Sequence, residues 1–443
     1  MARRGAHAVV MGGSMAGLLA ARVLADHYSQ VTIIERDSVG EWAESRKGTP
    51  QDRHVHGFWA RGLETVERLF PGITAELHGG GAVPGDAVGD VNWHQFGGLK
   101  LRAPSGIGAT LMTRPFLESH VRRRALALPA ISMRSGTTVT DLTTSEQRRR
   151  VSGVYVLGAG GAREAIEADL VVDATGRGTQ APRWLEFMGY QRPPETAMRI
   201  DLAYATRTFR RLTNQPTIGH IIIGTPPILR RGGFCFAVED NRWQVTLFGF
   251  LGEEPPTDPA GFADYAGSLP NAEIAEVVRS CEALDDIRLY KFASNLRRHY
   301  ERLTAFPQGY LVIGDALCSF NPAYGQGMTV AALEVEALEV CLAAGTPSAQ
   351  IAPYFFKRAA QVIDVPWRLT TGEDFRFPQV EGKRPPLLKL LNAYVTRVHR
   401  AATVDPVVCR AFFEVASLTR RPERLLAPEI LWRVLTARPA LST

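Results

Sequence analysis

Short apolar runs alternate with glycine-rich turns at the start of the chain. Ala8 to Met11 form an apolar run that favours a buried strand, and Gly12 and Gly13 follow it directly. A segment rich in alanine and leucine then indicates a helix, and Val31 to Ile34 form a second apolar run. This order predicts a strand, a tight turn, a helix and a second strand, with the start of the helix facing a ligand.

Two later apolar runs also end in turns that are typical of parallel strands. Leu170 to Asp173 lead into Ala-Thr-Gly, and Tyr310 to Ile313 lead into Gly314 and Asp315. A loop rich in proline and glycine follows Asp315, and the pattern then predicts a helix from Thr329 to Ala344. We expect both turns at the carboxyl edge of one sheet, where open α/β folds bind ligands.

In the middle of the chain, the pattern of apolar and polar residues is typical of antiparallel strands separated by turns. Four strand-like segments separated by turns predict an inserted, mainly antiparallel sheet; they are Ala203 to Phe209, Ile218 to Gly224, Gly233 to Val238 and Trp243 to Phe250. Val91 to Leu101 is predicted as a further strand, and Ile287 to Ala293 as a returning one. From Pro347 onward the pattern predicts helices separated by prolines, and Leu387 to Arg400 is basic and amphipathic, a helix that we expect to pack on the protein.

The fold class that follows is α/β, with a Rossmann-like nucleotide-binding domain, an inserted antiparallel sheet and a C-terminal helical region. We expect residues 1–185 and 286–345 to form the nucleotide-binding domain, with 75–112 contributing partly to the substrate side. Residues 186–285 would form the substrate-binding sheet, and residues 346–443 the helical region.

Composition and charge exclude several classes of protein. The chain has 443 residues, enough for two or three domains, and a net charge of +6 that arises from scattered arginines. Scattered arginine does not favour nucleic-acid binding, but it suits an anionic ligand. Five cysteines without a Cys-x-x-Cys motif indicate neither a disulfide framework nor a zinc site, which favours the cytoplasm. No apolar run has the length of a membrane span.

The first turn carries a modified dinucleotide fingerprint. Gly12, Ser14 and Gly17 follow the G-x-G-x-x-G pattern, with serine at the second position. Glu35 ends the second strand, where a carboxylate can accept hydrogen bonds from an adenosine ribose, while the neighbouring Arg36 leaves a 2′-phosphate possible. The plain alternative is a glycine-rich turn that opens a helix without any ligand.

A polar loop over residues 45–57 contains further candidate groups. His54 and His56 could face one side of an extended segment as metal ligands, but no third or fourth ligand lies nearby, so we expect them to make hydrogen bonds. Farther along, Thr113 is a predicted N-cap, and Arg114 at that helix start could reach a phosphate. The alternative for Arg114 is an ordinary surface arginine.

The three motifs, in this order over residues 8–345, resemble those of the FAD-dependent monooxygenases of the aromatic-hydroxylase (p-hydroxybenzoate hydroxylase-like) type. The resemblance implies FAD as cofactor, with NADPH or NADH as a transient reductant. More narrowly, Arg46 to His56 together with Phe320 to Met328 look like the bacterial polyether-type olefin epoxidases of polyketide biosynthesis. That implies a flexible, apolar, alkene-bearing substrate.

The resemblance also implies which residues bind the cofactor. The first turn would approach the FAD pyrophosphate, Glu35 the adenosine ribose, and Asp315 the ribityl chain. Arg46 and Arg114 would serve the phosphates or the flavin edge, and the late loop would lie beside the isoalloxazine. The implied cofactor-binding residues are Gly12, Gly13, Ser14, Met15, Ala16, Gly17, Glu35, Arg36, Arg46, Arg114, Asp315, Pro322, Gly325, Gly327 and Met328.

The sequence departs from the family pattern at three places. Ser14 replaces a glycine, and Leu317-Cys318 stands where Ala-His is common. The middle motif reads Asp-Ala-Thr-Gly from Asp173 instead of the usual Asp-Gly form, which leaves the binding of NAD(P)H undefined.

The implied reaction is oxygenation of a small apolar alkene or aromatic substrate by O2. NAD(P)H would reduce FAD, and a flavin C4a-hydroperoxide would epoxidise or hydroxylate a polyketide-like substrate. An alkene needs no general base whereas a phenol does, and His54 and His56 are the only weak catalytic candidates. The alternatives are a ring hydroxylase of phenols, a flavin-dependent prenyl reductase and a non-catalytic FAD-binding protein. A halogenase is disfavoured because its W-x-W-x-I-P signature is absent.

Overall fold

The computed structural model describes residues 3–40, 44–158, 160–212 and 215–439. The strands, in chain order, are β1 Gly5–Met11, β2 Tyr28–Ile34, β3 Val83–Asp86, β4 Val91–Gln95, β5 Gly98–Leu99, β6 Gly108–Leu111, β7 Ile131–Arg134, β8 Thr138–Thr144, β9 Val151–Leu157, β10 Arg163–Glu167, β11 Leu170–Asp173, β12 Glu195–Arg210, β13 Gly219–Ile223, β14 Arg231–Val238, β15 Arg242–Gly249, β16 Arg288–Arg298, β17 Tyr310–Val312 and β18 Cys318–Ser319. The helices are α1 Met15–Ala25, α2 Ala60–Leu69, α3 Ile73–Gly79, α4 Arg114–Leu126, α5 Ala181–Phe187, α6 Pro259–Gly267, α7 Glu273–Ser280, α8 Gly327–Ala343, α9 Ser348–Asp374, α10 Leu388–Ala401, α11 Pro406–Ala416 and α12 Pro428–Thr436.

A five-stranded parallel sheet carries the three motifs. Its strand order is β17-β11-β1-β2-β7, as in a Rossmann-like fold. In the register of this sheet Met11 pairs with Asp173, and Asp173 pairs with Val312. Because the strands are parallel neighbours, the turns that follow β1, β11 and β17 meet at one edge, as the sequence predicts. The predicted α/β fold class is confirmed.

An eight-stranded sheet forms the second layer, in the order β18-β16-β12-β15-β14-β13-β4-β5. The four predicted strands of the middle segment are present as β12 to β15, paired antiparallel. The C-terminal helices share a hydrophobic core with this sheet: Trp93 and Val245 belong to the same buried cluster as Val398, Phe413 and Ile430, and Trp93 packs directly against Phe413. A basic helix near the C-terminus therefore packs on the protein, and its bounds are Leu388–Ala401.

The structure differs from the predicted elements in three places. Val91 to Leu101 is a hairpin and not one strand, because Phe96 and Gly97 have φ of 54° and 77° and reverse the chain. The sequence assigned residues 286–345 to the nucleotide-binding domain, but β16 pairs with the long strand β12 in the large sheet. Helix α9 continues through Pro353 and Pro366, since buried residues such as Phe355 and Ile363 anchor it.

None of the helices in the described ranges combines the length and the apolar composition that crossing a bilayer requires.

Candidate functional site

A cavity of about 540 Å³ opens at the carboxyl edge of the parallel sheet. Its wall includes Gly12 and Ser14 after β1, Thr175 to Gly178 after β11, and Asp315 after β17. The three sequence motifs therefore converge on a single cavity, and its volume lies within the range of small-molecule and cofactor sites. We call it the first cavity.

The turn after β1 requires glycine at two positions. Gly12 has a φ of 101°, and a Cβ at this residue would lie 2.5 Å from the carbonyl oxygen of Ala174. A Cβ on Gly17 would lie 1.9 Å from the carbonyl oxygen of Gly12, so this glycine lets α1 pack against the turn. Glycine at both of these positions is therefore a steric requirement of the turn.

The first turn of α1 faces the first cavity. Ser14, Met15 and Ala16 line it, while Gly13 and Gly17 lie behind its wall. The Ser14 side chain does not cap the helix; its Oγ donates instead to Glu118 at 2.5 Å. Within the described chain, the backbone N–H groups of Met15 and Ala16 have no acceptor. These donors, together with the helix dipole, suit an anionic group such as a pyrophosphate.

Glu35 lies in the cavity wall with both carboxylate oxygens engaged. Oε2 accepts the N–H of Gly13 at 2.8 Å, and Oε1 accepts the N–H of Asp37 at 2.9 Å. The neighbouring Arg36 also lines the cavity. Glu35 therefore ties the glycine turn to the end of β2, and its contact with a ribose stays a prediction.

Arg46 does not line the first cavity, although the sequence places it at the cofactor. Its guanidinium lies between two buried carboxylates: Nη1 is 3.1 Å from Glu35 Oε2, and Nη2 donates to Glu118. Two carboxylates that are taken out of water need a cation between them, and Arg46 meets that need. Arg46 therefore holds Glu35 and Glu118 together next to the cavity wall, and its contact with the cofactor stays a prediction.

Arg114 lines the first cavity at the start of α4. Its Nη2 donates to Ser14 Oγ at 3.0 Å, and its Nη1 lies 3.3 Å from His56 Nε2. Thr113 caps this helix as predicted, since its side chain accepts the N–H of Phe116. Arg114 is therefore held at the cavity wall and is not an ordinary surface arginine.

The two histidines of the polar loop differ in position. His56 lines the first cavity, and its Nδ1 lies 2.8 Å from the carbonyl oxygen of His54. His54 lies outside the lining, where its Nδ1 bonds to Thr206 at 2.7 Å. Burial and a nearby arginine lower the pKa of each to about 3, so both rings are neutral near pH 7. No cluster of three or more metal-ligating side chains occurs in the residues that the structure covers.

Asp315 and Arg177 both line the first cavity. Desolvation raises the pKa of the Asp315 carboxyl, while the charges of Arg114 and Arg177 act in the opposite direction. Arg177 lines the same cavity; its Nη2 donates to Ser294 at 2.8 Å, and its buried Nη1 has no partner in the described structure. Sequence reasoning missed Arg177, although it is the first charged residue after the Asp-Ala-Thr-Gly turn.

The late loop is held by a buried network that begins on α9. The Asp374 carboxylate accepts hydrogen bonds from Asn295 at 2.7 Å, from Asn321 at 2.8 Å and from the Tyr324 hydroxyl at 3.1 Å. Asn295, Asn321 and Asp374 are fully buried. Burial raises the pKa of Asp374 to about 7. No sequence motif links these residues, so only the fold reveals the network.

That loop separates two cavities. Pro322, Gly325, Gly327 and Met328 line the first cavity, and their contact with the cofactor stays a prediction. A second cavity of about 230 Å³ lies beyond the loop, and both cavities share Val55, Gly57, Phe234, Pro322, Ala323, Gly325 and Gln326 in their walls. A molecule in the second cavity would therefore lie next to a group bound in the first.

The wall of the second cavity is mainly apolar. Helix α2 and its approach contribute Phe58 and Trp59, the large sheet contributes Trp93, and the C-terminal helices contribute Val398 and Phe413. These aromatic and aliphatic side chains predict an apolar occupant. Sequence reasoning did not assign any of them to a site, because they come together only when the C-terminal helices cover the sheet.

A few polar groups interrupt this apolar wall, and His399 of α10 is one of them. The ring is buried against Phe96 and Phe412, and its Nδ1 has no partner in the part of the chain that the structure describes. Burial, together with Lys100 and Arg376, lowers the pKa of His399 well below its ordinary value. The ring is therefore neutral near pH 7, and its unpaired Nδ1 is a buried atom of the cavity wall.

The wall of the first cavity fits FAD. Two helices begin at the cavity: α1 has the free N–H groups described above, and those of Gly327 and Met328 in α8 also lack an acceptor within the described ranges. Gly325 has a φ of 63°, and a Cβ there would crowd Gly57 and Trp59. Donors at both helix starts and close backbone approach suit a pyrophosphate and a planar ring system.

Comparison with known proteins agrees with this geometry. A model of the FAD binding domain family matches residues 6–350. Protein Rv3254 of Mycobacterium tuberculosis (strain ATCC 25618 / H37Rv) is 32% identical over 428 residues, which cover 93% of this chain and 89% of that protein.

Two solved structures have the same fold at low identity. A flavoprotein/dehydrogenase from Cytophaga hutchinsonii has a TM-score of 0.67 and 15% identity, over 97% of this chain and 96% of that one. The p-nitrophenol 4-monooxygenase PnpA from Pseudomonas putida DLL-E4 has a TM-score of 0.66 and 16% identity, over 95% of this chain and 100% of that one.

Proposed function

Because the chain belongs to the FAD binding domain family, we propose that it is an FAD-dependent monooxygenase that acts on an apolar, natural-product-type substrate. It uses NADH or NADPH as reductant and O2 as oxidant. The observation that carries the proposal is the pair of cavities on either side of the Pro322–Gln326 loop: one has the donors for a dinucleotide, and the other has an apolar wall.

When bound, FAD supplies the redox chemistry, which is uptake of two electrons from NAD(P)H and activation of O2. The overall reaction consumes one substrate, one O2, one NAD(P)H and one proton. It yields the monooxygenated product, water and NAD(P)+, so one oxygen atom of O2 enters the substrate and the other becomes water.

The residues of this chain bind, orient and exclude water. The start of α1 and Arg114 would hold the diphosphate of bound FAD, and Gly327 and Met328 at the start of α8 would lie beside its ring system. The partial positive charge at that helix start steadies negative charge that develops during oxygen transfer. The apolar wall of the second cavity keeps water away from the reacting atoms.

Epoxidation of an alkene is the form of this reaction that the apolar wall favours, since oxygen addition to a double bond needs no general base. A ring hydroxylase of phenols is the second candidate, because the imidazole of His399 in the wall of the second cavity has an Nδ1 that is unpaired within the described residues. A phenol that reached this buried nitrogen would find a proton acceptor there, although the lowered pKa makes the ring a weak base.

The proposal is tested in two stages with FAD-loaded protein. In the first, NADPH or NADH is added under nitrogen, and we expect the flavin absorbance to bleach; a flavin that stays oxidised with both would indicate a non-catalytic FAD-binding protein. In the second, O2 consumption is followed with a panel of alkenes and phenols. Reduced, oxygen-free products would indicate a prenyl reductase instead.

A substitution in the wall of the second cavity tests whether the substrate binds there. Ala109 lies in the wall of this cavity, and we expect Ala109→Phe to raise the KM at least about tenfold while the flavin spectrum is unchanged. Ala165→Phe, on the exposed strand β10, is the matched control. An unchanged KM in Ala109→Phe would place the substrate elsewhere.

A further inference from the structure

Large apolar side chains are exposed on the C-terminal helices. Leu390 on α10 is 68% exposed, and Trp432 on α12 is 71% exposed. The exposed apolar side chains on and next to α10 and α12, which we call the C-terminal apolar face, are Leu387, Leu390, Leu391, Leu426, Trp432 and Leu435. Large apolar side chains grouped on a surface mark interaction sites, whereas isolated ones need no explanation.

Two hydrogen bonds connect the parts of this face. The Tyr394 hydroxyl of α10 donates to the carbonyl oxygen of Leu425, next to Leu426, and Arg397 of α10 donates to the carbonyl oxygen of Leu435 on α12. Leu390, Tyr394 and Arg397 follow one another at helical spacing on one side of α10. The exposed leucines of both helices therefore belong to one surface.

Basic residues are scattered along the whole chain, but their excess over acidic residues lies in the segment that carries this face. Residues 381–439 contain eleven Lys and Arg against five Asp and Glu, while the remaining basic and acidic residues of the chain are equal in number. Lys389 and Arg397 lie on α10 beside the exposed leucines, and neither has a carboxylate partner among the described residues. The C-terminal apolar face thus combines leucine and tryptophan with uncompensated positive charge.

The second cavity reaches this face. Leu391 lines the cavity and is also half exposed on the surface of α10, and Leu425 lines it beside the exposed Leu426. Val395 and Val398 continue the cavity wall along α10. One helix therefore contacts the cavity with one side and solvent with the other.

We propose that the C-terminal apolar face docks on an anionic lipid membrane. Leucine and tryptophan enter the boundary between headgroups and acyl chains, and lysine and arginine contact the lipid phosphates. A second copy of the chain fits less well, because pairing two such faces would oppose like charges. If the proposed function holds, an apolar substrate dissolved in the membrane would enter the second cavity at Leu391.

The test measures binding without turnover, so its outcome is independent of the proposed function. FAD-loaded protein is floated with vesicles of phosphatidylcholine alone or with roughly a quarter phosphatidylglycerol. We expect binding to the anionic vesicles to be at least about tenfold stronger, and to fall as salt is added. Equal binding to both kinds of vesicle, or to neither, would overturn the proposal.

Matched variants separate the apolar and the charged contributions. The double variant Leu390→Glu, Trp432→Glu should lose vesicle binding at least about tenfold and keep its flavin absorbance. Lys389→Glu, Arg397→Glu should lose the preference for anionic lipid. Phe187→Glu removes an exposed aromatic residue on α5 and should bind as the native protein does.

The alternative occupants give distinct results. A stable dimer in light scattering that the Leu390→Glu, Trp432→Glu variant converts to a monomer would overturn membrane docking in favour of a second copy. A protein that stays monomeric, floats with anionic vesicles and loses this property in the double variant supports it.

Discussion

The side-chain amide of Asn321 donates to the carboxylate of Asp374 at 2.8 Å, although 53 positions separate the two residues in sequence. Asn321 begins the loop that separates the two cavities, and Asp374 ends α9. The same carboxylate accepts hydrogen bonds from Asn295 and Tyr324, so one buried acid holds the loop in place through three donors. The C-terminal region thus contributes to the site by positioning this loop.

Asp374→Asn should loosen the loop. The substitution replaces a carboxylate oxygen by an NH2 group that faces other donors, which leaves a buried donor unpaired at a cost of about 1 to 3 kcal/mol. We expect denaturant unfolding to show this loss, and the KM for substrate to rise more than kcat falls. Glu381→Gln is the control, because Glu381 is exposed just beyond α9. Equal behaviour of the two variants would show that the network does not position the loop.

Gly12→Ala should prevent retention of FAD. The native φ of 101° and the nearby Ala174 carbonyl leave no room for a methyl group, and the strain amounts to about 1 to 3 kcal/mol. The measurement is the ratio of flavin to protein absorbance after purification. Gly178→Ala is the matched control: Gly178 lines the same cavity, but a Cβ there meets no atom within 4 Å. A flavin-free Gly178→Ala variant would contradict this explanation.

Glu334 should make the stability depend on pH. Its Oε2 accepts the N–H of Gly314 at 2.6 Å, and burial raises its pKa from 4.5 to about 8, with a smaller rise due to Asp315. The folded protein therefore binds more protons than the unfolded chain between these two values. The free energy of unfolding should fall as pH rises through this window.

Glu334→Gln should remove that part of the pH dependence. The glutamine side chain keeps an acceptor for the Gly314 N–H and cannot ionise. Denaturant unfolding at several pH values is the measurement, and Glu339→Gln on the same helix should retain the native profile. An unchanged slope in Glu334→Gln would indicate that Glu334 is already ionised in the folded protein.

His399→Gln should distinguish phenols from alkenes. If the ring accepts a proton, kcat for phenols should fall at least about tenfold in the variant. This is a lower bound, because a general base typically contributes more than about tenfold to the rate. Oxygenation of alkenes should be nearly unchanged, because that reaction requires no base. Steady-state rates with both substrate classes give the comparison, and a parallel loss for both would assign His399 a structural role.

Local patterns predicted the parts of the site that depend on neighbouring residues. The turn at Gly12 and the strand end at Asp315 were predictable, because an apolar run followed by glycine or a carboxylate is a pattern that spans only a few residues of the sequence. The ion pair of Arg46 with Glu118 was not predictable, since Glu118 lies 72 positions farther along the chain, on α4. The network of Asp374 and the wall of the second cavity depend on long-range packing that no local spacing encodes.

The proposed monooxygenase activity is tested most directly by measuring whether an oxygen atom of O2 is incorporated into the product. FAD-loaded protein is supplied with NADPH or NADH, isotopically labelled O2 and an apolar alkene or phenol that stimulates oxygen uptake, and the product is analysed by mass spectrometry. We predict one labelled oxygen atom per product molecule, and none when FAD or the reductant is omitted. A product that forms without the label would contradict the proposed monooxygenase.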